Sequence, residues 1–442
     1  MQLSNEDLRR LKWWRNSTFL IMLFGYIGYY LIRKNLPAAF PLMEQAFGYS
    51  NSQLGMIAAS SELAYAFGKF VNGPLGDKIG GRKIFLIGML GAIACNYLFA
   101  MGSNLVYFIV VWCICRYFLS MGWGGIAKTI GAWFEPEKNG TVMGWISLNF
   151  QFGGVISTLF AGYLVALGYG WEKLFIFPAT VVCGVFVWSV YGSRAQPSDV
   201  IPEATDFGKS DSGKTSLANF ESKENIRVFE IITTLLKMPL FRNLLVFSFM
   251  TTLLRSIFFF WTIKFLKDIG GDNIENSVAI FKSALFPFLG ALGTILLGWY
   301  TDKHVKNGDR AQAMWIMLSG LIFTLLGITY CASLEHPPLN LIMLLVGFSG
   351  FFLLGPYSMS SGALTLDIAG SKGAGSCTGM IDGVGYLGGA IATWGAGKLS
   401  DTLGWSQVFG VLSFCAVLGV LAAFMMSRNF QKIHREQQAS SL

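Results

Sequence analysis

Two arginines, Arg33 and Arg255, lie deep inside apolar stretches that are long enough to cross a lipid bilayer, residues 17–40 and 244–266. A cation at that depth costs about 3 kcal/mol or more to insert, so such residues usually serve a function. Each could instead extend to the membrane surface or pair with a local acid, but no acidic residue is near either arginine in the sequence. The pair predicts a membrane protein that binds an anionic solute.

Aromatic hydroxyls accompany the first of these arginines. Tyr26, Tyr30 and Arg33 follow one another at the i, i+4, i+7 spacing that places side chains on one face of a helix. A guanidinium can pair with two phosphate oxygens in one plane while phenol hydroxyls donate to a third. We therefore predict a phosphate site, to which Arg255 adds a second guanidinium.

The composition places the chain among membrane proteins: of 442 residues, 53% are hydrophobic and 13% charged, with 52 glycines. Apolar runs of about 20 residues predict an all-α membrane protein with twelve transmembrane helices. The predicted spans are 17–38, 53–75, 84–101, 105–127, 141–166, 172–192, 240–263, 278–300, 312–332, 339–360, 374–396 and 406–427.

The charge distribution predicts orientation. Most of the 33 Lys and Arg residues fall in cytoplasmic segments if the N-terminus is inside, so both termini should be cytoplasmic. The net charge of +8 then reflects topology, and nucleic-acid binding is not expected. We expect a multi-pass protein of the bacterial inner membrane that works as a monomer.

Cysteine and histidine give no sign of catalysis. The seven Cys lie in or beside spans and read as packing residues, and the three His lie outside the spans. We find no spacing typical of a metal site or a catalytic triad. The sequence predicts neither an enzyme nor a cofactor.

An internal repeat divides the chain. Gly73 to Arg82, which includes Asp77, recurs as Gly298 to Arg310, which includes Asp302. The repeat predicts two six-helix halves, residues 1–192 and 239–442, with substrate bound at the membrane midplane between them. Residues 193–238 read as a flexible cytoplasmic linker without a core. Charge pairs of Asp77, Arg82, Asp302 and Arg310 would form a cytoplasmic gate, unless these are ordinary solvated loop charges.

Ordered motifs then resemble a known family. The two Gly-x-x-x-Asp-Lys loops are similar to the signature of the major facilitator superfamily, and other stretches resemble its organophosphate:phosphate antiporters. These stretches span nearly the whole transmembrane region: Gly25 to Lys34, Tyr65 to Lys69, Met121 to Phe134, Gly355-Pro356 and Gly383 to Gly389. The resemblance implies exchange of a phosphate ester for inorganic phosphate, with Arg33 and Arg255 binding the phosphate.

The resemblance also implies further site residues. The family places a basic residue near the site at the position of Lys69, although a lysine there could also extend to the cytoplasmic surface. Lys34 would line the path or only pack. Arg116 resembles a fourth-span arginine of other members, with a structural role as the alternative.

Departures from the family pattern bear on the substrate. Asn149 stands where glycerol-phosphate members have a fifth-span histidine. Asp382 lies in a segment that resembles animal sugar-phosphate exchangers, where it could accept hydrogen bonds from sugar hydroxyls or only mark a helix start. Both residues favour a hexose phosphate. The alternatives are a glycerol 3-phosphate transporter, a membrane sugar-phosphate sensor, and a proton symporter that uses Glu62 or Asp382.

Overall fold

The structure is a computed structural model, and it describes residues 4–134, 142, 146, 149–204, 207, 228–304, 309–360 and 363–440. Within these residues the regular secondary structure is helical. The α-helices are α1 Asn5–Leu31, α2 Asn35–Phe47, α3 Asn51–Ile79, α4 Gly81–Phe99, α5 Leu105–Leu119, α6 Met121–Trp133, α7 Asn149–Ala166, α8 Lys173–Gly192, α9 Val228–Lys237, α10 Pro239–Gly270, α11 Asn276–Ser283, α12 Leu285–His304, α13 Arg310–Ala332, α14 Leu339–Ser360, α15 Ala363–Leu403 and α16 Trp405–Ser440.

The helices coincide with the predicted spans. Eight segments of the described chain are long and apolar enough to cross a membrane, and they match the third, fourth, sixth to tenth and twelfth predictions. The first, second and eleventh predicted spans are helical in α1, α3 and α15, whose sequences carry more Gly, Tyr and charge. The fifth is the shorter apolar helix at residues 152–166. The prediction of an all-α membrane fold is confirmed.

By contacts the chain forms two compact units, Met1–Leu42 with Ala64–Gly213, and Met43–Leu63 with Lys214–Leu442. In the first unit, α1 packs against α7 and α8, and α4 packs against α5, α6 and α8. In the second, α10 packs against α15 and α16, and α13 packs against α14 and α16. The same neighbours recur in the same chain order, which agrees with the predicted internal repeat. The proposed division at residues 192 and 239 stays a prediction.

The first predicted span is interrupted at the position of Arg33. Helix α1 ends at Leu31 and α2 begins at Asn35, so Arg33 lies in a turn and not on the continuous helical face that the spacing predicts. Pro37 explains the break, because a proline ring inside a helix clashes with the carbonyl four residues earlier, which is that of Arg33. In the first turn of α2, by contrast, its missing N–H costs nothing.

Two asparagines hold this break inside the protein. The Asn35 amide donates to Asn96 Oδ1 at 2.5 Å, and the Asn96 amide donates to the carbonyl of Ile32 at 3.2 Å. Asn35 is 1% exposed and Asn96 is fully buried. Buried backbone groups freed by a helix break need such partners. The side chains of α2 and α4 therefore fix the turn that carries Arg33.

The first part of the predicted linker is folded, and the expectation that it has no core is wrong for residues 193–204. Ile201 and Ala204 are buried in a cluster with Leu11 and Trp133. The Trp133 indole donates to the carbonyl of Arg194 at 3.0 Å, and the Arg194 guanidinium lies 3.9 Å from the ring of Trp14. The apolar side chains of this stretch pack on Leu11 of α1 and Trp133 of α6. Residues 205–206 and 208–227 lie outside the described chain.

A close crossing of α4 and α6 tests the packing. A Cβ on Gly125 would lie 2.7 Å from the carbonyl oxygen of Gly81 and 2.8 Å from Cβ of Phe85, whereas one on the neighbouring Gly124 meets nothing within 4 Å. We expect Gly125→Ala to destabilise the protein by about 1–3 kcal/mol. Gly124→Ala should be neutral or slightly stabilising, since alanine favours helix by about 1 kcal/mol. Thermal unfolding of both variants in one detergent measures this, and equal midpoints would contradict the crossing.

Candidate phosphate-binding residues

Arg33 is buried against aromatic rings. Its side chain is 5% exposed, and its guanidinium carbon lies 4.7 Å from the ring centre of Tyr65 and 5.5 Å from that of Tyr30. Its Nη1 donates to the Tyr65 hydroxyl at 3.5 Å. A ring over a guanidinium stabilises the cation, and it leaves the donors in the guanidinium plane oriented for hydrogen bonds. The turn after α1 and helix α3 together position this group.

Tyr65 is the centre of a cluster of three cations. The guanidinium carbon of Arg116, a side chain that is 1% exposed, lies 4.5 Å from the same ring, and Lys69 Nζ lies 5.5 Å from it. The structure thus brings Lys69 and Arg116 together with Arg33. Tyr65 was not among the predicted site residues. The sequence signal that could have identified Tyr65 is its spacing of four residues from Lys69, which places both side chains on one face of α3.

The predicted tyrosines form a wall beside this cluster. The ring of Tyr26 packs 5.6 Å from that of Tyr30 and 5.7 Å from that of Trp123. The hydroxyl of the neighbouring Tyr29 donates to the carbonyl of Phe85 at 2.6 Å and fixes α1 to α4. Tyr30 packs so closely on α7 that a Cβ on Gly153 would lie 2.9 Å from its own. These rings hold α1 in one rotational setting.

Arg255 has a similar surrounding in the second unit. It is half-buried on α10, and its guanidinium carbon lies 4.9 Å from the ring of Tyr357, 5.8 Å from Phe259 and 6.0 Å from Tyr386. Helices α14 and α15 supply the two tyrosines. Both arginines named by the sequence analysis are therefore packed among phenol rings inside their own units.

Asp382 and Asn149 have different surroundings. Asp382 is half-buried on α15, one helical turn before Tyr386 and on the same face. Asn149 is 3% exposed and donates its amide to the carbonyl of Leu23 at 2.8 Å, which ties α7 to α1. That bond accounts for one of the two amide hydrogens of Asn149. Its role toward a substrate stays a prediction.

The predicted gate residues are described in part. Arg82 donates to the hydroxyl of Ser193 at 2.9 Å and to the carbonyl of Val190 at 2.5 Å, so it caps the C-terminal end of α8 within its own unit. Arg310 donates to the hydroxyl of Thr301 at 3.1 Å. The side chains of Asp77 and Asp302 lie outside the described ones. The gating role stays a prediction.

A buried acid, Glu62, contacts the residue that follows Arg255 in the chain. Glu62 is 1% exposed, and the hydroxyl of Ser256 donates to its Oε2 at 3.3 Å. A Cβ on Gly389 would lie 3.0 Å from the same oxygen, so glycine is needed to admit the carboxylate. The sequence analysis named Glu62 only as a possible proton-coupling group.

Another buried cation, Lys264, has carboxylate partners. Lys264 is 2% exposed, and its Nζ lies 3.0 Å from Glu44 and in contact with Asp268. The Trp405 indole donates to Asp268 at 2.9 Å. Lys264 was not among the predicted site residues, and this network was missed. The sequence does show one pair of this network, because Asp268 follows Lys264 by four residues on α10, the spacing at which side chains on a helix interact.

The arrangement around Tyr65 suits recognition of an anion. Three cationic groups that share one ring repel one another in a medium of low dielectric constant. An anion with several acceptor oxygens offsets that repulsion, and guanidinium groups pair with such oxygens two at a time. Phosphate has this charge and geometry. In the described part of the chain no group of His, Cys, Asp and Glu could hold a metal ion.

Curated proteins of similar sequence span nearly the whole chain. A probable hexose phosphate transport protein of Chlamydia pneumoniae is 27% identical over 93% of this chain and 91% of its own length. The glycerol-3-phosphate transporter of Bacillus subtilis is 27% identical over 92% and 91%. The membrane sensor protein UhpC of Escherichia coli is 26% identical over 93% and 92%.

Solved structures and a family profile agree on the fold. A bacterial homolog of the human lysosomal transporter Spinster matches with a TM-score of 0.75 at 15% identity, over 95% of this chain and 98% of that one. A D-xylose–proton symporter matches with a TM-score of 0.70 at 14% identity, over 93% and 97%. The Major Facilitator Superfamily profile matches residues 22–393. This integral, multi-pass membrane protein belongs to the major facilitator superfamily.

Proposed function

We propose that this protein is a secondary transporter that exchanges an organophosphate for inorganic phosphate. The observation that carries the proposal is the set of Arg33, Lys69 and Arg116 around the ring of Tyr65. Such a set binds an anion that brings more than one negative charge. Arg255, packed among aromatic rings in the second unit, is the second guanidinium that we propose for phosphate binding. The names of the similar proteins, which are phosphate-ester transporters and a sensor, support this chemistry.

The substrate that we propose is a hexose phosphate. Asp382 shares a face of α15 with Tyr386 and lies one helical turn before it. The guanidinium carbon of Arg255 lies 6.0 Å from the ring of Tyr386. A carboxylate can accept hydrogen bonds from sugar hydroxyls. Glycerol 3-phosphate, which has fewer hydroxyls, remains the second candidate among the transported esters.

A sensor of sugar phosphates is the alternative from another functional class. A similar protein carries that description, and the same fold can host both functions. Flux separates them: a transporter moves labelled ester across vesicles, whereas a sensor binds it without moving it. We also propose that both termini are cytoplasmic and that one chain suffices for transport. Accessibility of an introduced cysteine near either terminus tests the orientation.

The guanidinium groups give the first test of transport. Arg33→Lys and Arg255→Lys keep the charge but lose the planar pair of donors. The loss of one charge-assisted hydrogen bond, worth about 1.5–3 kcal/mol, should lower exchange by about 10- to 150-fold. Arg10→Lys, on an exposed part of α1, is the matched control and should keep full activity. Wild-type exchange in both normally inserted site variants would refute the phosphate-binding role.

The driving force gives the second test. Uptake of labelled ester into proteoliposomes should require inorganic phosphate or another phosphate ester inside, because the site moves a phosphate in each direction. It should not require a proton gradient. Uptake into phosphate-free vesicles that is driven by a pH gradient and abolished by an uncoupler would contradict exchange. The buried Glu62 would then be the group to replace, as Glu62→Gln.

The organic part of the substrate gives the third test. A buried acceptor left without its hydroxyl partner costs about 1–3 kcal/mol, or about 5- to 150-fold in affinity. Glucose 6-phosphate should therefore compete better than glycerol 3-phosphate for uptake. Asp382→Asn should narrow the difference and leave competition by inorganic phosphate unchanged, which serves as the internal control. Equal competition by the two esters in the wild type would contradict the proposal that Asp382 binds sugar hydroxyls.

A further inference from the structure

A second basic site lies away from the arginine clusters. A surface cavity of about 500 Å³ forms where the C-terminal part of α16 passes the start of α10. Its lining includes Asn243 of α10 and four polar or charged residues of α16, namely Arg428, Asn429, Lys432 and Arg435. The volume is that of a typical small-molecule site. The proposed transport function does not use this cavity.

The cavity is strongly cationic. Arg428, Lys432 and Arg435 follow at i, i+4 and i+7 and so project from one face of α16. Glu436 lies 3.9 Å from Lys432, but both side chains are more than two-thirds exposed, and such a surface pair contributes little. Helix α10 starts at Pro239 without an acidic residue in its first turn, so the positive end of its dipole adds to the same potential.

The cavity also borders the apolar surface of the protein. Helix α16 has 36 residues and is about 54 Å long, whereas the hydrocarbon core of a bilayer is about 30 Å thick. Its apolar sequence ends at Met426, and the preceding Phe424 and Met425 are 41% and 52% exposed. Met425 lines the cavity, and the Arg428 guanidinium lies 5.7 Å from the ring of Phe424. The basic face therefore begins where the lipid-facing surface ends.

We propose that this cavity binds the phosphate headgroup of an anionic phospholipid. The cations and the amide of Asn243 recognise the phosphate, and Met425 contacts the glycerol and the first acyl carbons. A soluble phosphate would meet the same cations, but it would gain nothing from the apolar border. Lysine and arginine near a charged membrane surface each contribute about 1 kcal/mol to such binding. The site gives the second unit a lipid-binding cavity that is separate from the proposed substrate-binding residues.

The test uses the full-length protein in a neutral detergent, titrated with phosphatidylglycerol or phosphatidylcholine. Native mass spectrometry measures the bound lipid. The double variant Arg428→Gln/Lys432→Gln should bind phosphatidylglycerol about 30-fold more weakly, the equivalent of about 2 kcal/mol. Arg9→Gln/Arg10→Gln removes the same charge from an exposed part of α1 and should bind as the wild type does. An equal loss of phosphatidylglycerol binding in both double variants would show that the lipid responds only to general surface charge, and this would overturn the proposed site.

Two further arms identify the ligand and the place. Asn243→Asp keeps the three cations but adds a carboxylate to the cavity, so it should weaken phosphatidylglycerol binding without changing the unfolding temperature in lipid-free detergent. Unchanged binding would overturn the cavity as the site. The binding of inorganic phosphate is measured in the wild type and in Arg428→Gln/Lys432→Gln. The difference between the two reports binding at this cavity, because phosphate bound elsewhere on the protein contributes equally to both. The proposal of an anionic lipid headgroup would be overturned if inorganic phosphate bound at this cavity as tightly as phosphatidylglycerol. It would also be overturned if phosphatidylcholine and phosphatidylglycerol bound equally well.

Discussion

The structure depends on stabilising cations inside an apolar helical bundle. A cation there costs about 3 kcal/mol or more, and a single aromatic ring returns about 0.5–2 kcal/mol. Arg33 contacts two tyrosine rings and Arg255 contacts rings from three positions. Several rings per arginine are thus needed, which explains why aromatic residues converge on these points from different helices.

Lys264 shows the other solution to the same problem. Its ammonium is as deeply buried as Arg33, but it contacts Glu44 and Asp268. A buried ion pair with further hydrogen bonds from Trp405 and Asn51 is locally neutralised and fixes α10 against its neighbours. The chain therefore holds one buried cation with acids and another among phenols. Carboxylates stabilise the Lys264 ammonium, whereas aromatic ring faces pack on the guanidinium groups of Arg33 and Arg255.

The sequence was sufficient to predict the architecture but not the contacts of the site. Long apolar runs and the repeated Gly-x-x-x-Asp-Lys loops report on single helices and on chain symmetry, so the spans and the helical fold followed from them. Tyr65 was missed as a site residue because its role comes from Arg33 and Arg116, which lie 32 and 51 positions away in the chain. The break at Arg33 was missed because a window of about 20 residues stays apolar on average despite three polar residues at positions 33–35, although Pro37 was a visible signal.

The linker shows how a compositional reading fails locally. Residues 193–238 are rich in polar and small residues taken together, yet the first twelve include Pro197, Val200 and Ile201, which can bury apolar surface. Thr18 accepts from the backbone N–H of Arg194, and Ser17 donates to the carbonyl of Gly192 at 2.7 Å, so the middle of α1 holds the end of α8 in place. The N-terminal part of α1 is then more than a basic topology signal, because the folded linker segment packs on it. The packed structure of the first unit therefore continues past the end of α8 as far as Ala204.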